Sequence, residues 1–364
     1  MKVLAVSSYG VLGGAELSLA VFLEHRPAGV EASAVLIEDG PLRAHLSERG
    51  VPSGAAHGYD GRPSPMQSVR FTRSLLRLLE GERPDVVWAT GLKAAYMAAP
   101  ACRIRRVPIV WHKVDFSLDA VLTRPLAVAV NGVVSVSESV AAALGPLRRR
   151  RLLAVVGPPV RLPNELHIAP SERLAVGTLA TLSPIKGQHH IVEAAALLAD
   201  EFPDLRIVLA GAPTADDPGY PQELRELASE LGIGDRLELP GFVADVGAVL
   251  ARLTVFVNAT FRDERGFGME GLSGAMLEAS WAGLPVVATR GGGTPEGVKD
   301  GLTGTLADPG DPPALAAAIT PYLRDRELAL RTGEAGRRFA REQFSPKGLA
   351  ARLFEALERA ASAR

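Results

Sequence analysis

The sequence lacks most features that mark secreted, membrane-spanning or nucleic-acid-binding proteins. Its 364 residues include one cysteine, Cys102, so an internal disulfide is excluded and a cytosolic protein fits. No apolar run reaches about 18 residues, so no membrane span is expected. The formal net charge is -1, so the chain has no overall field to attract nucleic acid. We therefore expect a cytoplasmic protein without nucleic-acid partners.

Two further absences narrow the architecture. The apolar run Lys2–Ser8 is too short for a signal peptide and is more typical of a first strand. No internal repeat with a period of about 20 to 50 residues is visible, which argues against a solenoid. The apolar content of 47% and the charged content of 22% are ordinary for soluble proteins, and 364 residues suit two domains.

The first half of the chain alternates short apolar runs with helical segments. Strands are predicted at 2–8, 31–38, 52–57, 85–90, 108–113, 132–137 and 151–156. Helices are predicted between most of them, including 14–25, 66–80, 92–101 and 138–144. This alternation implies right-handed crossovers and a parallel, doubly wound sheet, whose ligands lie at the carboxyl ends of the strands.

A second alternating series follows the segment Gly157–Asn164, which is rich in proline and glycine and is predicted to link two domains. Its strands are predicted at 173–179, 205–210, 237–240, 254–258, 285–289 and 303–307, and the chain then ends in helices at 312–324, 326–342 and 346–362. The predicted domains are 1–160 and 165–344.

The most informative stretch is Thr254–Asp308, which has the pattern of a strand, a polar glycine-rich loop, a helix and a second strand. Ser273 suits the start of that helix and Gly283 its end. The amides after Ser273 face the positive end of the helix dipole and suit a diphosphate. Glu270 and Glu278 lie up to ~12 Å apart, so they can reach opposite sides of such a ligand. The alternative is that Glu278 belongs to a solvated helix face.

These residues resemble the donor site of retaining glycosyltransferases of family 4. The resemblance rests on the spacing of Glu270 and Glu278, on the glycine-rich segment 292–296, and on Asp300 and Asp308. Such enzymes have the α/β GT-B fold, in which two Rossmann-like domains with doubly wound parallel sheets face a central cleft. In that fold the last helix, here within 346–364, crosses back to the N-terminal domain. The resemblance implies that the first domain binds the acceptor and the second the donor.

The resemblance also implies roles for residues of the second domain. Lys186, in a Ser-Pro-x-Lys-Gly segment, would bind the donor diphosphate, Glu270 the sugar hydroxyls and Glu278 the ribose. Segment 241–242 would lie against the nucleotide base through its backbone. The implied donor-binding residues of this domain are Lys186, Gly241, Phe242, Gly271, Leu272, Ser273, Gly274 and Glu278.

Two elements of the first domain complete the implied site. Gly13 and Gly14 follow the first strand and would lie across the cleft from the donor phosphates. They do not form a Gly-x-Gly-x-x-Gly fingerprint, so a dinucleotide site is poorly supported. His112 ends a predicted strand and would contact the donor sugar. An ordinary turn at the glycines and a structural, hydrogen-bonded histidine are the alternatives.

The register of the glutamate pair needs care. Arg265 begins a segment that looks like the start of the family motif, but eight residues later the chain has Ser273. Only Glu270 has a second glutamate, Glu278, at the required spacing. Residues 261–269 are therefore predicted to form an elongated loop before the motif.

One position departs from the family pattern. The family has an arginine five residues before the diphosphate-binding lysine, and this chain has Thr181 five residues before Lys186. Arg262, Arg265 or Arg290 would have to supply the missing charge. Otherwise the donor binds more weakly, or the protein is not a working enzyme.

Two clusters of cations have alternative interpretations. Arg103, Arg105 and Arg106 follow a predicted helix, Arg148–Arg151 precede the last strand of the first half, and Lys93 begins a helix. They either form solvated helix ends or create a face for an anionic acceptor or for peripheral contact with the inner face of a membrane.

The sequence thus predicts a bacterial retaining glycosyltransferase that moves a sugar from a nucleotide sugar, by default a UDP-sugar, to an acceptor hydroxyl on a small molecule, glycan or lipid-linked intermediate. Glu270, His112 and Lys186 are the predicted catalytic residues. No cofactor is expected, and no cluster of metal ligands is visible. The alternatives are a non-catalytic GT-B subunit that binds a nucleotide or a protein, a sugar-nucleotide epimerase and an inverting transferase.

Overall fold

The computed structural model describes residues 1–55, 65–117, 121–262 and 268–363. The chain forms two compact units. The first consists of Met1–Arg161 and Phe344–Arg364, and the second of Leu162–Gln343. The division falls within the proline- and glycine-rich segment Gly157–Asn164.

The first unit contains a parallel sheet of seven strands in the described residues, ordered β3-β2-β1-β4-β5-β6-β7. Neighbours β1 and β4 flank the point where the order reverses, which is where doubly wound sheets place their ligands. The strands are β1 (Lys2–Ser7), β2 (Glu31–Leu36), β3 (Ser53–Ala55), β4 (Val86–Thr90), β5 (Ile109–Lys113), β6 (Gly132–Ser135) and β7 (Leu152–Val155).

Helices cover this sheet and bury its apolar residues. One core layer joins strand residues such as Val87 and Trp111 to helix residues such as Phe71 and Ala98. The helices are α1 (Gly14–Glu24), α2 (Pro41–Glu48), α3 (Pro65–Glu82), α4 (Leu92–Arg105), α5 (Thr123–Ala129), α6 (Glu138–Ala142) and α7 (Arg148–Arg151).

The second unit contains a parallel sheet of six strands in the described residues, ordered β10-β9-β8-β11-β12-β13. Here β8 and β11 flank the reversal of strand order. The strands are β8 (Ala175–Leu179), β9 (Arg206–Ala210), β10 (Leu237–Gly241), β11 (Val255–Asn258), β12 (Val286–Thr289) and β13 (Gly304–Ala307). The helices are α8 (Gln188–Leu197), α9 (Tyr220–Glu230), α10 (Val246–Leu250), α11 (Gly274–Ala282), α12 (Thr294–Gly297), α13 (Pro312–Arg324) and α14 (Arg326–Gln343).

The last helix, α15 (Pro346–Ser362), belongs to the first unit, although it follows the second in sequence. It packs against α1 and against β4 and β7. Leu349, Leu353, Phe354 and Leu357 bury one apolar side of it. The chain therefore returns to the first unit, as the sequence predicts. Across the described ranges no helix combines the length and apolar character needed to cross a membrane.

Local signals in the sequence placed several element ends correctly. The Ser137 hydroxyl accepts the Val140 amide at 3.1 Å, which caps α6. Gly283 ends α11 with φ +102°, a conformation that glycine adopts without strain. The predicted bounds of α13 agree with the structure, and those of α14 and α15 agree to within one residue.

Other predictions about elements need correction or cannot be judged. Helix α4 continues to Arg105, so Arg103 and Arg105 lie in its last turn instead of following it. No bounds are predicted for α2, α5 and α7 of the first unit, or for α8, α9, α10 and α12 of the second. Residues 56–57 of the predicted third strand lie outside the described residues, and so does most of the predicted loop at 261–269.

Candidate active site

Polar side chains gather at the carboxyl ends of three neighbouring strands in the second unit. Asn258 is the last residue of β11, and Thr289 is the last residue of β12. Lys186 ends a short 3-10 turn that follows β8. Because β8 and β11 flank the reversal of strand order, this edge is where a doubly wound sheet binds its ligand.

Glu270 is the centre of this group. Lys186 Nζ forms an ion pair and a hydrogen bond with Glu270 Oε1. Asn258 Nδ2 donates a hydrogen bond to Glu270 Oε2 at 2.8 Å. The Thr260 hydroxyl donates to Asn258 Oδ1 at 2.9 Å, and the Thr289 hydroxyl donates to the Thr260 carbonyl. The chain of bonds holds the carboxylate in one orientation.

The surroundings of Glu270 keep it ionised. Burial by itself would raise the pKa of this carboxyl group, but the charge of Lys186 and hydrogen bonds from Lys186, Asn258 and Thr260 outweigh burial and hold the pKa below its ordinary value. The side chain of Lys186 is 23% exposed and that of Glu270 is 16% exposed. The pair is thus largely shielded from water but accessible to a ligand.

Close backbone packing positions both partners. Gly187, directly after the lysine, has φ +68°, and a Cβ atom there would lie 2.1 Å from the Ala259 carbonyl oxygen. No other residue fits without movement of the chain. On the other side, the Gly293 amide donates to the Glu270 carbonyl at 3.0 Å, which ties the glutamate to the glycine-rich segment after β12.

The start of α11 lies directly after Glu270 in sequence. The Ser273 hydroxyl accepts the Met276 amide at 3.4 Å and acts as the predicted N-cap. Residues Gly271–Gly274 lead into the first turn, where backbone amides have no partner within the helix. A Cβ atom at Gly274 would meet nothing within 4 Å, so backbone here can be approached closely. This is suitable geometry for an anion.

Glu278 is buried, with 1% of its surface exposed. It lies within α11, where every residue from Met276 to Ala282 is buried. The alternative of a solvated helix face is therefore wrong. A buried carboxylate needs polar partners to offset its lost hydration. Burial does not test the predicted contact of Glu278 with the ribose, which stays a proposal.

The predicted base-binding segment lies at the carboxyl end of β10. Gly241 has φ +75° and its carbonyl accepts the Gly211 amide at 2.8 Å. Phe242, next in the chain, is 68% exposed. A single exposed apolar ring is ordinary, so the contact with the base stays a prediction.

In the first unit, Gly13 and Gly14 lie after β1 at the start of α1. Gly13 is the N-cap residue of that helix, and a Cβ atom there would lie 2.6 Å from Glu16 Oε2. Glu16 is itself buried, and burial raises the pKa of its carboxyl group. A side chain at position 13 would displace this glutamate, so the glycine has a local structural reason.

His112 lies at the end of β5, with its ring against Trp88 and Phe22 at centroid distances of 5.9 and 6.0 Å. It is 3% exposed, and burial lowers its pKa to about 4, against a small opposing effect of the Val156 carbonyl. Neither ring nitrogen has a hydrogen bond of ordinary geometry among the described residues. With a pKa of about 4, His112 is neutral at pH 7, and its contact with the donor sugar stays a prediction.

None of the arginines proposed to replace the missing family arginine is seen to contact Glu270 among the described residues. Thr181 is exposed, and its carbonyl accepts a hydrogen bond from Gln188 at 2.9 Å. Arg290 forms an ion pair with Asp300 at 2.9 Å, so it is engaged away from Glu270. Arg265 lies outside the described residues. Arg262 is exposed, within the loop that precedes the motif.

Asp300, part of the family-like pattern, has a structural role. Its carboxylate accepts the Leu306 amide at 2.9 Å in addition to Arg290. These contacts, first of all the Leu306 amide, lower its pKa. The residue thus stabilises the turn before β13.

Sequence reasoning missed the residues that orient Glu270. Asn258, Thr260 and Thr289 were not predicted as site residues. Their position at or just beyond the carboxyl ends of β11 and β12 is the signal that could have identified them. The structure does bring Lys186 and Glu270 together, which supports Glu270 as the first glutamate of the pair.

A known family model matches most of the second unit. Residues 166–339 match the family model described as "Glycosyl transferases group 1". The matched region contains every predicted site residue of that unit. This part of the chain therefore resembles group 1 glycosyltransferases, in agreement with the class of enzyme that the sequence predicts.

Individual relatives have the same class. The chain is 35% identical over 195 residues to the GDP-mannose-dependent alpha-(1-6)-phosphatidylinositol monomannoside mannosyltransferase of Mycolicibacterium smegmatis, covering 53% of this chain and 50% of the relative. It is 34% identical over 194 residues to the D-inositol 3-phosphate glycosyltransferase of Corynebacterium glutamicum, covering 52% and 44%. The chain spans about half the length of these curated relatives.

Solved structures confirm the fold over the whole chain. The complex of Anabaena Alr3699/HepE with UDP and glucose has a TM-score of 0.85 at 22% identity, covering 99% of this chain and 100% of that one. The sucrose-phosphate synthase of Thermosynechococcus elongatus has a TM-score of 0.77 at 16% identity, covering 100% of both. At such identities the likeness concerns the fold alone. The predicted α/β fold with two parallel sheets, of the GT-B type, is confirmed.

Proposed function

We propose that this chain is a retaining glycosyltransferase of family 4, which moves a sugar from a nucleoside diphosphate sugar to an acceptor hydroxyl. The observation that carries the proposal is the group formed by Lys186, Glu270 and Asn258 beside the start of α11. It combines a cation and helix amides for a diphosphate with an oriented carboxylate for sugar hydroxyls. The class of the relatives supports the same reaction.

Lys186 has a partner that a donor would replace. Without a ligand its ammonium group neutralises Glu270. A donor diphosphate would bind between the Lys186 ammonium group and the backbone amides of Gly271–Gly274. The same ammonium group and amides would then stabilise the negative charge that develops on the leaving diphosphate. Lysine acts here as a point charge, in place of the paired cations that the family resemblance implies.

Glu270 would orient the sugar. Its carboxylate is ionised and is held by Asn258, so it can accept hydrogen bonds from two hydroxyl groups without reorganisation. We assign the ribose to Glu278 and the base to the segment Gly241–Phe242, as the resemblance implies.

Catalysis would then need no protein nucleophile. In the proposed same-face mechanism the leaving diphosphate accepts the proton of the acceptor hydroxyl as the new glycosidic bond forms. The protein stabilises charge on the phosphates and holds the sugar. In the first unit we assign a contact with the donor sugar to His112, which is neutral and so contributes a hydrogen bond without charge. Gly13 and Gly14 are assigned to the same donor.

For the nucleotide we propose UDP, as the resemblance implies and as the UDP-bound structure with the same fold supports. GDP is the second candidate, because the mannosyltransferase relative is named as GDP-mannose-dependent. The acceptor is proposed as a hydroxyl of a small molecule, a glycan or a lipid-linked intermediate.

Calorimetric titration with UDP, GDP, ADP and dTDP and their sugar conjugates tests the donor site. We expect one nucleotide to bind at micromolar concentration and Lys186→Met to weaken it roughly 10- to 100-fold, the range for loss of a charge-assisted hydrogen bond. Lys299→Met, a change at an exposed lysine of the same unit, is the matched control and should leave affinity unchanged.

Absence of binding by every nucleotide would contradict the proposal. It would favour a non-catalytic subunit of the same fold, an alternative motivated by Thr181 and by the engagement of Arg290 with Asp300. For an active protein, the anomeric configuration of the product, read by NMR, separates retention from inversion, and an inverted product would refute the retaining mechanism.

A further inference from the structure

The first unit carries an apolar groove that no step of the proposed reaction uses. It has a volume of about 480 Å³ and lies between α3, α4 and α5. The lining residues are Ser68, Thr72, Tyr96, Met97, Ala99, Pro100, Arg103, Leu122, Pro125, Leu126 and Ala129.

The groove presents hydrocarbon almost throughout. Its two aliphatic hydroxyls have partners in the protein: Ser68 Oγ donates to Met97 Sδ at 3.6 Å, and Thr72 Oγ1 donates to the Ser68 carbonyl at 2.8 Å. Among the described residues that line it, Arg103 is the one charged residue. Its guanidinium is exposed and forms no ion pair within the described part of the chain. An occupant with an apolar chain and one anionic end would fit this lining.

The charge around the groove points to the same chemistry. Helices α3, α4 and α5 together carry seven cationic residues and two carboxylates, whereas the whole chain has a net charge of -1. Glu80 is paired with Arg105, and Lys93 is paired with Glu38, which follows β2. The cations are Arg70, Arg73, Arg77, Lys93, Arg103, Arg105 and Arg124.

Exposed apolar side chains are frequent on or beside the same three helices. Of the thirteen large apolar side chains that are exposed in the described residues, six lie on or beside these three helices. Scattered apolar side chains are ordinary, but a group around an apolar groove marks an interaction site. The six are Met66, Val69, Tyr96, Ile104, Val121 and Val128.

We propose that this groove binds a hydrocarbon chain of an anionic membrane lipid, whose phosphate pairs with Arg103. Tyr96 and Arg103 lie seven residues apart on α4, or ~10 Å along the helix. A chain that follows α4 over Ala99 and Pro100 thus ends beside the guanidinium. Cations around the groove attract the anionic surface, and the apolar rim contacts the lipid chains. The inference does not depend on the donor chemistry of the second unit.

Binding of the full chain to vesicles tests this proposal. Vesicles of phosphatidylcholine with phosphatidylglycerol should bind the protein, and vesicles of phosphatidylcholine alone should not. Ala129→Trp fills the groove from an exposed position, and Arg103→Glu reverses its charge. Each should weaken binding at least tenfold. Circular dichroism verifies that each variant is folded.

Two matched controls separate the groove from general surface effects. Ala351→Trp is the same change at an exposed position of α15, and Arg150→Glu is the same charge reversal at an exposed position of α7. Both should bind within twofold of the parent. Equal losses in Arg103→Glu and Arg150→Glu would mean general electrostatic attraction and would overturn the proposed site.

Single-chain amphiphiles below their micelle concentration test the chain itself. Octyl and decyl phosphate should bind, with affinity rising up to roughly fourfold per added methylene group, and inorganic phosphate should not. Equal affinity for inorganic phosphate would refute an apolar site. Equilibrium sedimentation gives the remaining outcome: a dimer that Ala129→Trp dissociates would identify a second copy of the chain as the occupant and would overturn the lipid proposal.

Discussion

Replacing Lys186 by methionine should reverse the pH dependence of stability that Glu270 contributes. In the parent protein the pKa of Glu270 is below its ordinary value, because Lys186, Asn258 and Thr260 together outweigh burial. Glu270 therefore stabilises the fold above its unfolded-state pKa, and this stabilisation is lost as the pH falls through the lower folded-state pKa.

In the Lys186→Met variant burial acts without the opposing ammonium charge. The folded-state pKa of Glu270 should then lie above the unfolded-state value, since burial is the largest single influence on this group. The folded protein would bind the proton more tightly than the unfolded chain. Stability would accordingly fall as the pH rises through the unfolded-state pKa towards the folded-state pKa.

The size of the effect follows from the exposure of the pair. Removing one partner of a fully buried ion pair costs about 3 to 5 kcal/mol, whereas an exposed pair contributes about 0 to 1 kcal/mol. With 23% and 16% of the two side chains exposed, we expect a loss of about 2 kcal/mol at pH 8. At pH 5 the loss should be smaller, because the variant's carboxyl group takes up a proton more readily than that of the parent protein.

The assay must report on the second unit alone. Of the three tryptophans, Trp281 lies in that unit and is buried, whereas Trp88 and Trp111 lie in the first. Protein labelled with 5-fluorotryptophan gives separate resonances, and urea titration followed at Trp281 measures unfolding of the second unit. Lys299→Met, which removes an exposed cation–π contact with Phe339 at 5.2 Å, should lose about 1 kcal/mol or less, and equally at both pH values. A loss in Lys186→Met that is equal at pH 5 and pH 8 would refute the electrostatic reasoning.

Two further predictions concern single residues. The pKa of His112 falls from 6.5 to about 4 on folding, so the first unit should lose about 3 kcal/mol of stability as the pH falls between these values. In His112→Asn the stability of the first unit, followed at the Trp88 resonance, should depend less on pH over this range. Gly187→Ala should lower the free energy of unfolding of the second unit, followed at the Trp281 resonance, by about 3 kcal/mol or more. The control Gly232→Ala, where φ is +73° and the added Cβ meets open space, should lower it by about 1 kcal/mol. Equal losses would mean that the Ala259 carbonyl is no obstacle.

Elements with strong local signals were predictable from the sequence. The helices after Asp308 have clear apolar periodicity and clear ends, and their observed bounds agree with the prediction. No bounds are predicted for α2 and α5, or for the longer helices α8 and α9 of the second unit, so helix length alone does not explain which helices were predicted. Helix α4 was predicted too short, since its basic last turn was taken as the segment after the helix.

The candidate site was predictable in part. Spacing and resemblance identified Lys186, Glu270 and Glu278, and they favoured Glu270 over the segment that begins at Arg265. Asn258 was missed, because a single asparagine at the end of an apolar strand carries no motif. The engagement of Arg290 with Asp300 was also missed, since a partner ten residues away in sequence has no periodic signal.

The sequence by itself determined the class of fold and the order of its elements, because these depend on local periodicity and turn residues. The residues of the donor motif are predicted from spacing and from the family resemblance. Only the tertiary structure decided which side chains meet. Lys186 and Glu270 are 84 residues apart and form a pair because β8 and β11 are neighbours in one sheet. The same is true of the groove between α3, α4 and α5, which exists only after the helices have packed. Charge states follow from these contacts, since burial and partners decide whether Glu270 and His112 carry a charge.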